Sequence, residues 1–371
     1  MGNQAISYYS YQSVLDQANY SFGGTVVQGV APVDGANRDL IWETTETLNF
    51  GLDMGFLGNQ YTLSIEGYRK LTYDILMKLP VSTLYGLNAP YQNAGKVKNT
   101  GLEITAGYKL NTHGWNFQVS ANAAYNKNEV MDLKNGGARI WSGKYFNQEG
   151  YAINSIGGYI AEGLFKTEEE VANSATIPGT DTAPGDIKYR DINNDGKIDG
   201  EDRVYIGNTM PKWTFGLNLF AEWKGLDATF LFQGAADVQG YLAGPGVVGE
   251  MIGAKGKPSY MYRDCWDAET NPNGKFPRAF SSYRQNNSIY NPSSFWIVNS
   301  SYLRLKNFQL GYTLPKEWCN MMGISRIRVY YSGQNLLTFT KFDKGFDPES
   351  PEGGSSYPQV KTNTFGLNIT F

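Results

Sequence analysis

Apolar side chains recur at every second position in one segment after another, and this alternation restricts the possible folds more than any other feature of the chain. The last ten residues, TNTFGLNITF, place Phe365, Leu367, Ile369 and Phe371 on one side, with glycine, asparagine and threonine between them. A two-residue period is that of a β-strand with one apolar and one polar face. The chain therefore ends on a strand that needs a paired neighbour and a cover for its apolar face.

The segment 212–225, KWTFGLNLFAEWKG, shows the same alternation over a defined length. Its apolar face begins at Trp213, ends at Trp223 and carries mainly aliphatic side chains between them. Crossing an apolar band about 25 Å tall at a tilt of about 40° takes roughly ten residues. Since tryptophan prefers the membrane–water interface, the spacing of the two tryptophans predicts a strand that crosses a membrane.

Other segments follow the same plan, and together they predict about ten strands. The composition agrees, because 26 Tyr, 19 Phe and 43 Gly among 371 residues favour strands and turns over helices. Besides 212–225 and the terminal ten residues, the predicted strands are 46–56, 60–73, 101–110, 115–125, 226–234, 302–312 and 326–339, with a weaker candidate at 4–14.

The connections between these strands alternate between short and long. The short ones are 58–59, 111–114 and 224–225, followed by about a dozen residues at 313–325; the long ones are 74–98, 127–211, 236–301 and 340–361. An outer-membrane barrel has short periplasmic turns and long external loops, so we predict an all-β, antiparallel transmembrane β-barrel. A closed barrel also pairs the terminal strand. The alternative is a secreted, soluble β-protein that binds glycans, built as a sandwich or solenoid with elaborate loops.

The charges and the reactive side chains exclude several classes of function. A formal net charge of -3 gives no basic field for nucleic acid. With His113 as the single histidine, histidine-based triads and zinc hydrolase sites are excluded. A glycosidase with two carboxylates stays open, but no spacing singles out a pair, and we do not predict an enzyme. Cys265 and Cys319 form either one disulfide or two inert thiols.

Two absences by themselves are typical of a soluble, cytosolic protein. No run approaches the ~20 apolar residues of a membrane helix. No basic residue precedes Arg38 and no apolar core lies before it, so a signal peptide is not predicted. The membrane-type strands outweigh both observations.

The strongest local motif is DINNDGKIDGED at 191–202, which predicts a structural calcium site. Alternating oxygen ligands converge on a hard cation in loops of this D-x-N-x-D-G type, and a glycine makes the sharp turn. Position twelve is aspartate where glutamate is usual, and a solvated acidic turn is the alternative. The predicted Ca²⁺ ligands are Asp191, Asn193, Asp195, the backbone carbonyl of Lys197, Asp199 and Asp202, with the Lys197 ammonium pointing outward.

Aromatic side chains in the long loops admit three interpretations: stacking against sugars, contact with a protein lid, or packing within the loops. No substrate residue is therefore assigned. The residues concerned are Trp141, Tyr145, Tyr151, Tyr159, Trp266, Tyr283, Tyr290 and Trp296.

Several longer stretches resemble the SusC/RagA-type TonB-dependent outer-membrane transporters of the Bacteroidetes. They are ETTETLNFGLDMGFLGNQYTLSIEGYRKLTYDIL (43–76), NAGKVKNTGLEITAGYKL (93–110), residues 185–234 from GDIKYRDINNDGKIDGED to TFLFQG, SSYLRLKNFQLGYTLP (300–315), RVYYSGQNLLTFTKF (328–342) and the terminal TFGLNITF. The resemblance spans nearly the whole chain.

The resemblance implies a barrel of about 22 strands with a plug inside, in the outer membrane of a Gram-negative bacterium. It also implies a SusD-like surface lipoprotein as a lid, and import of oligosaccharides or peptides powered through TonB. Family members carry a signal peptide, a TonB-contacting segment, the plug and about half of the barrel before the point where this chain begins. Residues 1–371 are therefore expected to be the C-terminal part of such a barrel, inactive alone.

Overall fold

A computed structural model describes residues 10–13, 15–242, 263–279, 291–342, 346–350 and 359–371, and β-strands dominate these ranges. The strands are β1 (Leu15–Phe22), β2 (Thr25–Pro32), β3 (Thr44–Phe56), β4 (Tyr61–Lys78), β5 (Tyr91–Thr112), β6 (Trp115–Asp132), β7 (Ile140–Ser142), β8 (Tyr145–Asn147), β9 (Ser155–Gly158), β10 (Ala161–Leu164), β11 (Ile187–Tyr189), β12 (Val204–Gly207), β13 (Trp213–Trp223), β14 (Leu226–Ala236), β15 (Gln239–Tyr241), β16 (Ile297–Asn299), β17 (Tyr302–Thr313), β18 (Arg326–Thr340) and β19 (Thr362–Thr370).

Helices are short in the part of the chain that the structure describes. The α-helices are α1 (Glu168–Ala172) and α2 (Lys316–Met321), and the 3-10 helices are Thr83–Tyr85, Gly200–Asp202 and Ser294–Trp296. None of the helices seen in these ranges has both the length and the apolar character that spanning a membrane requires.

Nine long strands form one sheet, which we call the wall, in the order β19-β18-β17-β14-β13-β6-β5-β4-β3. Each strand lies beside the next long strand of the chain, and the pairs from β6 to β19 are antiparallel. Successive connections in such a sheet lie at opposite ends. The nine predicted strands between residues 46 and 371 are confirmed, and the short connections β13–β14 and β17–β18 share one end, the turn end.

The three tight turns of the wall are confirmed at the predicted places. Each has a positive φ at both central residues, the conformation of a type I′ turn, whose twist matches that of the flanking strands. The residues are Gly58 and Asn59, His113 and Gly114, and Lys224 and Gly225. The fourth short connection contains α2.

Three strands of the wall run further than the alternation predicted. β4 continues to Lys78 and β5 starts at Tyr91, so the predicted loop 74–98 shrinks to 79–90. β6 likewise continues to Asp132. The prediction ended this strand at residue 73, just before Asp74. In the structure Asp74 has φ +58 and interrupts the alternation, but β4 continues beyond it.

A hairpin that the sequence analysis did not predict precedes the wall. β1 and β2 pair from Leu15 opposite Pro32 to Phe22 opposite Thr25, around a turn of two glycines with positive φ. Their alternation is weak, because polar pairs such as Asn19 opposite Gln28 interrupt it. Of the weaker strand candidate at 4–14, only 10–13 lie within the described residues, and they form a turn and bend.

The described residues form two compact units, each with its own buried cluster. The first includes Met1–Phe50, Gly67–Leu102 and Asn126–Asn154, and the second includes Gly51–Glu66, Glu103–Tyr125 and Ser155–Phe371. Val97, Val130 and Leu133 are buried together in the first unit. In the second unit, the described parts of 155–211 and 237–301 form the loop lobe, whose buried side chains include Ile156, Phe165, Ile187, Tyr189, Ile198, Tyr241, Trp266 and Trp296.

Candidate functional site

One face of the wall carries an apolar band that remains exposed. Directly opposed residues of neighbouring strands share a face, and the register aligns Leu217 with Ala121 and Phe232, and Val329 with Tyr312 and Leu367. Exposed members of this band include Trp115, Trp213, Trp223, Leu226, Leu310, Tyr312, Val329, Leu337, Phe339, Phe365, Leu367 and Ile369. A water-soluble protein rarely exposes a continuous apolar surface of this extent.

Aromatic rings lie at both ends of this band on β13 and β6. Trp223 is paired with Trp115 and the two rings stack, with their centroids 5.3 Å apart. At the other end, Trp213 is paired with Tyr125 and the ring centroids lie 4.9 Å apart. Ten residue steps of about 3.3 Å at a tilt of about 40° cover about 25 Å along the membrane normal. Both ends of β13 therefore carry an aromatic pair at the spacing of the two membrane interfaces.

The opposite face is polar and carries an ion pair that spans three strands. Arg328 of β18 binds Asp227 of β14 with two hydrogen bonds, Nε to Oδ1 at 2.9 Å and Nη2 to Oδ2 at 2.5 Å. Its Nη2 also donates to Oε1 of Gln309 on β17 at 3.2 Å. Gly311 makes this possible, because a Cβ there would collide with the guanidinium. The pair borders a concavity of about 750 Å³ that Glu222 also lines.

A second ionic network on the polar face holds the β18–β19 connection. Arg304 is only 3% exposed, and its guanidinium donates to Asp347 Oδ1 at 2.8 Å and to Glu349 Oε1 at 2.9 Å. Lys306 also pairs with Glu349. Burial raises the pKa of Asp347, but the hydrogen bonds from Arg304 and from two backbone amides outweigh it and lower that pKa overall. Neither network could be predicted from the sequence, since Arg304 and Asp347 lie 43 positions apart and Arg328 and Asp227 lie 101 apart.

The predicted calcium loop is a compact turn held by its own carboxylates. Asp191 accepts hydrogen bonds from the amides of Asn194 and Gly196 at 2.6 and 2.8 Å. Gly196 has φ +85, so the sharp turn expected at this glycine is present. Asp202 is fully buried and accepts the amides of Ile192 and Asp199, both at 2.8 Å.

The ammonium of Lys197 lies against two carboxylates of the loop, and its outward direction in a calcium-bound loop stays a prediction. Its Nζ lies 2.7 Å from Asp199 Oδ2 and 3.4 Å from Asp195 Oδ2. The hydrogen bond from Lys197 lowers the pKa of Asp199, and the same bond raises the pKa of Lys197. The physical reason is the repulsion between neighbouring carboxylates, which the ammonium reduces.

The oxygen donors at 191–202 suit Ca²⁺ by their chemistry, because carboxylate, amide and carbonyl oxygens are the ligands that this cation takes. Across the described ranges, however, no three His, Cys, Asp or Glu side chains are already arranged around a metal position. The predicted ligand set, Asp191, Asn193, Asp195, Lys197, Asp199 and Asp202, therefore stays a prediction.

The loop aromatics favour packing within the loops over a ready-made stacking surface. Trp266 and Trp296 are buried, and the other four candidates that the structure describes, Trp141, Tyr145, Tyr151 and Tyr159, are partly buried. The Tyr159 ring lies 5.0 Å from that of the buried Tyr189. Burial raises the pKa values of both phenols. Tyr283 and Tyr290 lie outside the described residues.

Cys265 and Cys319 are both buried and form no disulfide, so the open question of a disulfide is settled in favour of two thiols. Burial raises the pKa of the Cys265 thiol to about 11, which keeps it protonated and unreactive at neutral pH.

Comparison with known proteins identifies the same architecture. A family model described as TonB dependent receptor-like, beta-barrel, matches residues 4–336. TonB-dependent receptor P3 of Formosa agariphila is 31% identical over all of this chain and 38% of its own length. TonB-dependent receptor SusC of Bacteroides thetaiotaomicron is 28% identical over 96% of this chain and 34% of its own.

Solved structures of the RagAB peptide transporter are also similar. One superimposes with a TM-score of 0.77 at 27% identity, over all of this chain and 40% of the solved chain. A second, in the closed-closed state, gives a TM-score of 0.76. The chain thus spans about two fifths of the length of the relatives that it matches, whose names describe receptors and a peptide transporter. The match over residues 4–336, together with the two-faced wall, shows that this chain belongs to the TonB-dependent receptor-like β-barrel family.

Proposed function

We propose that this chain forms part of the barrel wall of an outer-membrane transporter that imports oligosaccharides or peptides into a Gram-negative bacterium. The observation that carries the proposal is the two-faced wall, with an exposed apolar band on one side and the Arg328–Asp227 pair on the other. In a barrel, a polar inner face lines the passage and an apolar outer face contacts lipid. We expect the turn end to lie in the periplasm and the long loops outside the cell.

The two substrate classes differ in their support. The similar RagAB structures are of a peptide transporter, whereas the oligosaccharide class rests on the resemblance to SusC/RagA-type transporters. By the same resemblance, a SusD-like surface lipoprotein covers the loops, and TonB supplies energy through a segment outside these 371 residues. We infer no catalytic role.

We also propose that these residues act only within a larger barrel. The relatives are about two and a half times as long. Within the described sheet, β3 and β19 each pair on one side only, and an unpaired strand edge in lipid leaves backbone groups unsatisfied.

Calcium at residues 191–202 is proposed as a structural element of this transporter. The oxygen donors and the turn at Gly196 support it. Bound Ca²⁺ would replace the Lys197 ammonium between Asp195 and Asp199, and the loop would then hold the chain where it enters β13.

Growth of a deletion strain tests the transport role. A strain that lacks the full-length gene should lose growth on one class of sole nutrient, oligosaccharide or peptide, and regain it when the gene is restored. A tagged receptor purified in detergent should bring a surface lipoprotein with it. Unchanged growth of the deletion strain on broad panels of both classes would contradict the proposal.

The soluble, secreted alternative is tested with the purified full-length protein. The full-length chain should need detergent to stay in solution and should migrate differently on a gel before and after heating. A monomer that is stable in buffer without detergent would favour the glycan-binding alternative.

A further inference from the structure

Helix α2 displays an apolar surface that the transport function does not explain. Trp318, Met321 and Met322 are 54%, 78% and 53% exposed. Residues three and four apart lie on the same side of a helix, so these three side chains form one patch, the α2 patch. The polar residues Lys316, Glu317 and Asn320 are also exposed.

The orientation of the α2 patch is fixed by contacts on the other side of the helix. Cys319 is buried, and its Sγ lies 3.9 Å from the carbonyl oxygen of Leu314. The amide of Ile324 donates to the Cys319 carbonyl at 3.0 Å, and Gly323 ends the helix with φ +69. This is a Schellman-type end, and it prevents the helix from turning its apolar side inward.

Helix α2 lies at the turn end of the wall, close to the aromatic end of the apolar band. Only Leu314 and Pro315 separate β17 from α2. The amide of Thr313 donates to the carbonyl of Gly225 at 2.7 Å, which places the start of this connection beside the turn that follows Trp223. The three residue steps from Thr313 to Lys316 extend at most about 11 Å, so α2 begins close to the aromatic end of the band.

We propose that α2 lies in the surface of the lipid bilayer and anchors the turn end of the wall there. A short amphipathic segment with tryptophan on its apolar side suits the boundary between headgroups and acyl chains. Proximity to the aromatic end of the band favours lipid over a periplasmic protein as the occupant of the patch. This inference rests on the proposed membrane position of the wall.

Depth-dependent quenching of a fluorescent probe tests the inference in the full-length protein. Cys265 and Cys319 are replaced by alanine in every variant. An environment-sensitive probe is then attached at Met321→Cys, at Asn320→Cys as the matched control on the polar side of the same helix, or at Leu367→Cys in the apolar band. The protein is reconstituted in phosphatidylcholine nanodiscs with nitroxide lipids labelled near the headgroup.

The probe at position 321 should be quenched about threefold more strongly than the probe at position 320, because only the former enters the interface. Both positions share one helix, so a folding defect would affect them alike. Equal quenching at 321 and 320, with strong quenching at 367, would overturn the α2 inference and leave the wall in the membrane. Absence of quenching at 367 would overturn the membrane position of the wall itself, and the α2 inference with it.

Discussion

The same type of side chain is exposed in the wall and buried in the loop lobe, as Phe365 and Phe165 show. Phe365 lies on β19 and is 83% exposed, whereas Phe165 lies in the loop lobe and is 2% exposed. The contrast extends to tryptophan, because Trp213 and Trp223 of the wall are exposed while Trp266 and Trp296 of the loop lobe are buried. In the wall, the apolar residues point away from the protein, and in the loop lobe they point into it.

The difference teaches that this chain is built for two solvents. Burial of a phenylalanine ring is worth roughly 1.5–3 kcal/mol when the ring leaves water, whether it enters a protein core or another apolar phase. The loop lobe provides an apolar phase itself, since Ile156, Phe165 and Ile198 are buried inside it. For the apolar band of the wall, we expect the bilayer to provide the apolar phase. Each region should therefore respond to a different substitution.

Removal of a loop-lobe ring is expected to have the largest effect. Phe165→Ala should cost about 3–5 kcal/mol in the stability of the loop lobe, because it opens a cavity in a packed core. Limited proteolysis of the reconstituted full-length receptor should show faster cleavage within 155–211 and an unchanged wall. The matched control is Phe365→Ala, which should leave cleavage of the loops at the wild-type rate. Equal sensitivity to the two substitutions would remove the distinction between the regions.

A charge in the apolar band is the converse experiment. Leu217→Lys, at the middle of β13, should cost about 2–4 kcal/mol in the bilayer because the ammonium meets hydrocarbon. Asn218→Lys, on the next position and the polar face, should be nearly neutral. Unfolding of both variants in liposomes with denaturant measures the difference. Similar losses for the two would mean that β13 has no lipid-facing side.

The Arg304 network holds the β18–β19 connection against the wall, and a substitution in it should have an intermediate effect on stability. Asp347→Asn removes a charge-assisted hydrogen bond and should cost about 1.5–3 kcal/mol. Because the pKa of Asp347 is lowered in the folded protein, its contribution is present above the ordinary carboxyl pKa of about 3.9 and is lost as the pH falls through the lower folded value. Wild type should therefore lose stability over this acidic range more steeply than the variant. Parallel pH profiles would contradict the assignment.

Calcium binding should change the stability less than any of the three substitutions above. If the site has a Kd of about 10⁻⁴–10⁻³ M, as extracellular sites often do, 1 mM Ca²⁺ stabilises the loop by about 0.4–1.4 kcal/mol. Calorimetry on the full-length receptor should detect binding that the pair Asp191→Ala and Asp195→Ala abolishes. Lys197→Ala should bind more tightly than wild type, because it removes the competing ammonium. Identical heats for wild type and the double variant would reduce 191–202 to an acidic turn.

The sequence predicted those features that depend on local order. The alternation located the strands of the wall, and glycine or asparagine at 58–59 and 224–225 located its turns. What it could not provide was contact between distant residues, such as Arg328 with Asp227, or the direction of a flexible side chain such as Lys197. Aromatic residues of the loops were ambiguous because a ring in a core and a ring on a surface look alike in a sequence.

The central claim is that β13 has one side in lipid and the other in water, and a spin-label scan of 213–223 in the reconstituted receptor tests it most directly. We expect collisions with oxygen, which dissolves in lipid, to peak at the odd-numbered positions that include Leu217 and Leu219. Collisions with a water-soluble nickel chelate should peak at even-numbered positions such as Asn218. The two profiles should alternate with a period of two residues and in opposite phase. Profiles that rise and fall together, or that show no alternation, would contradict the account.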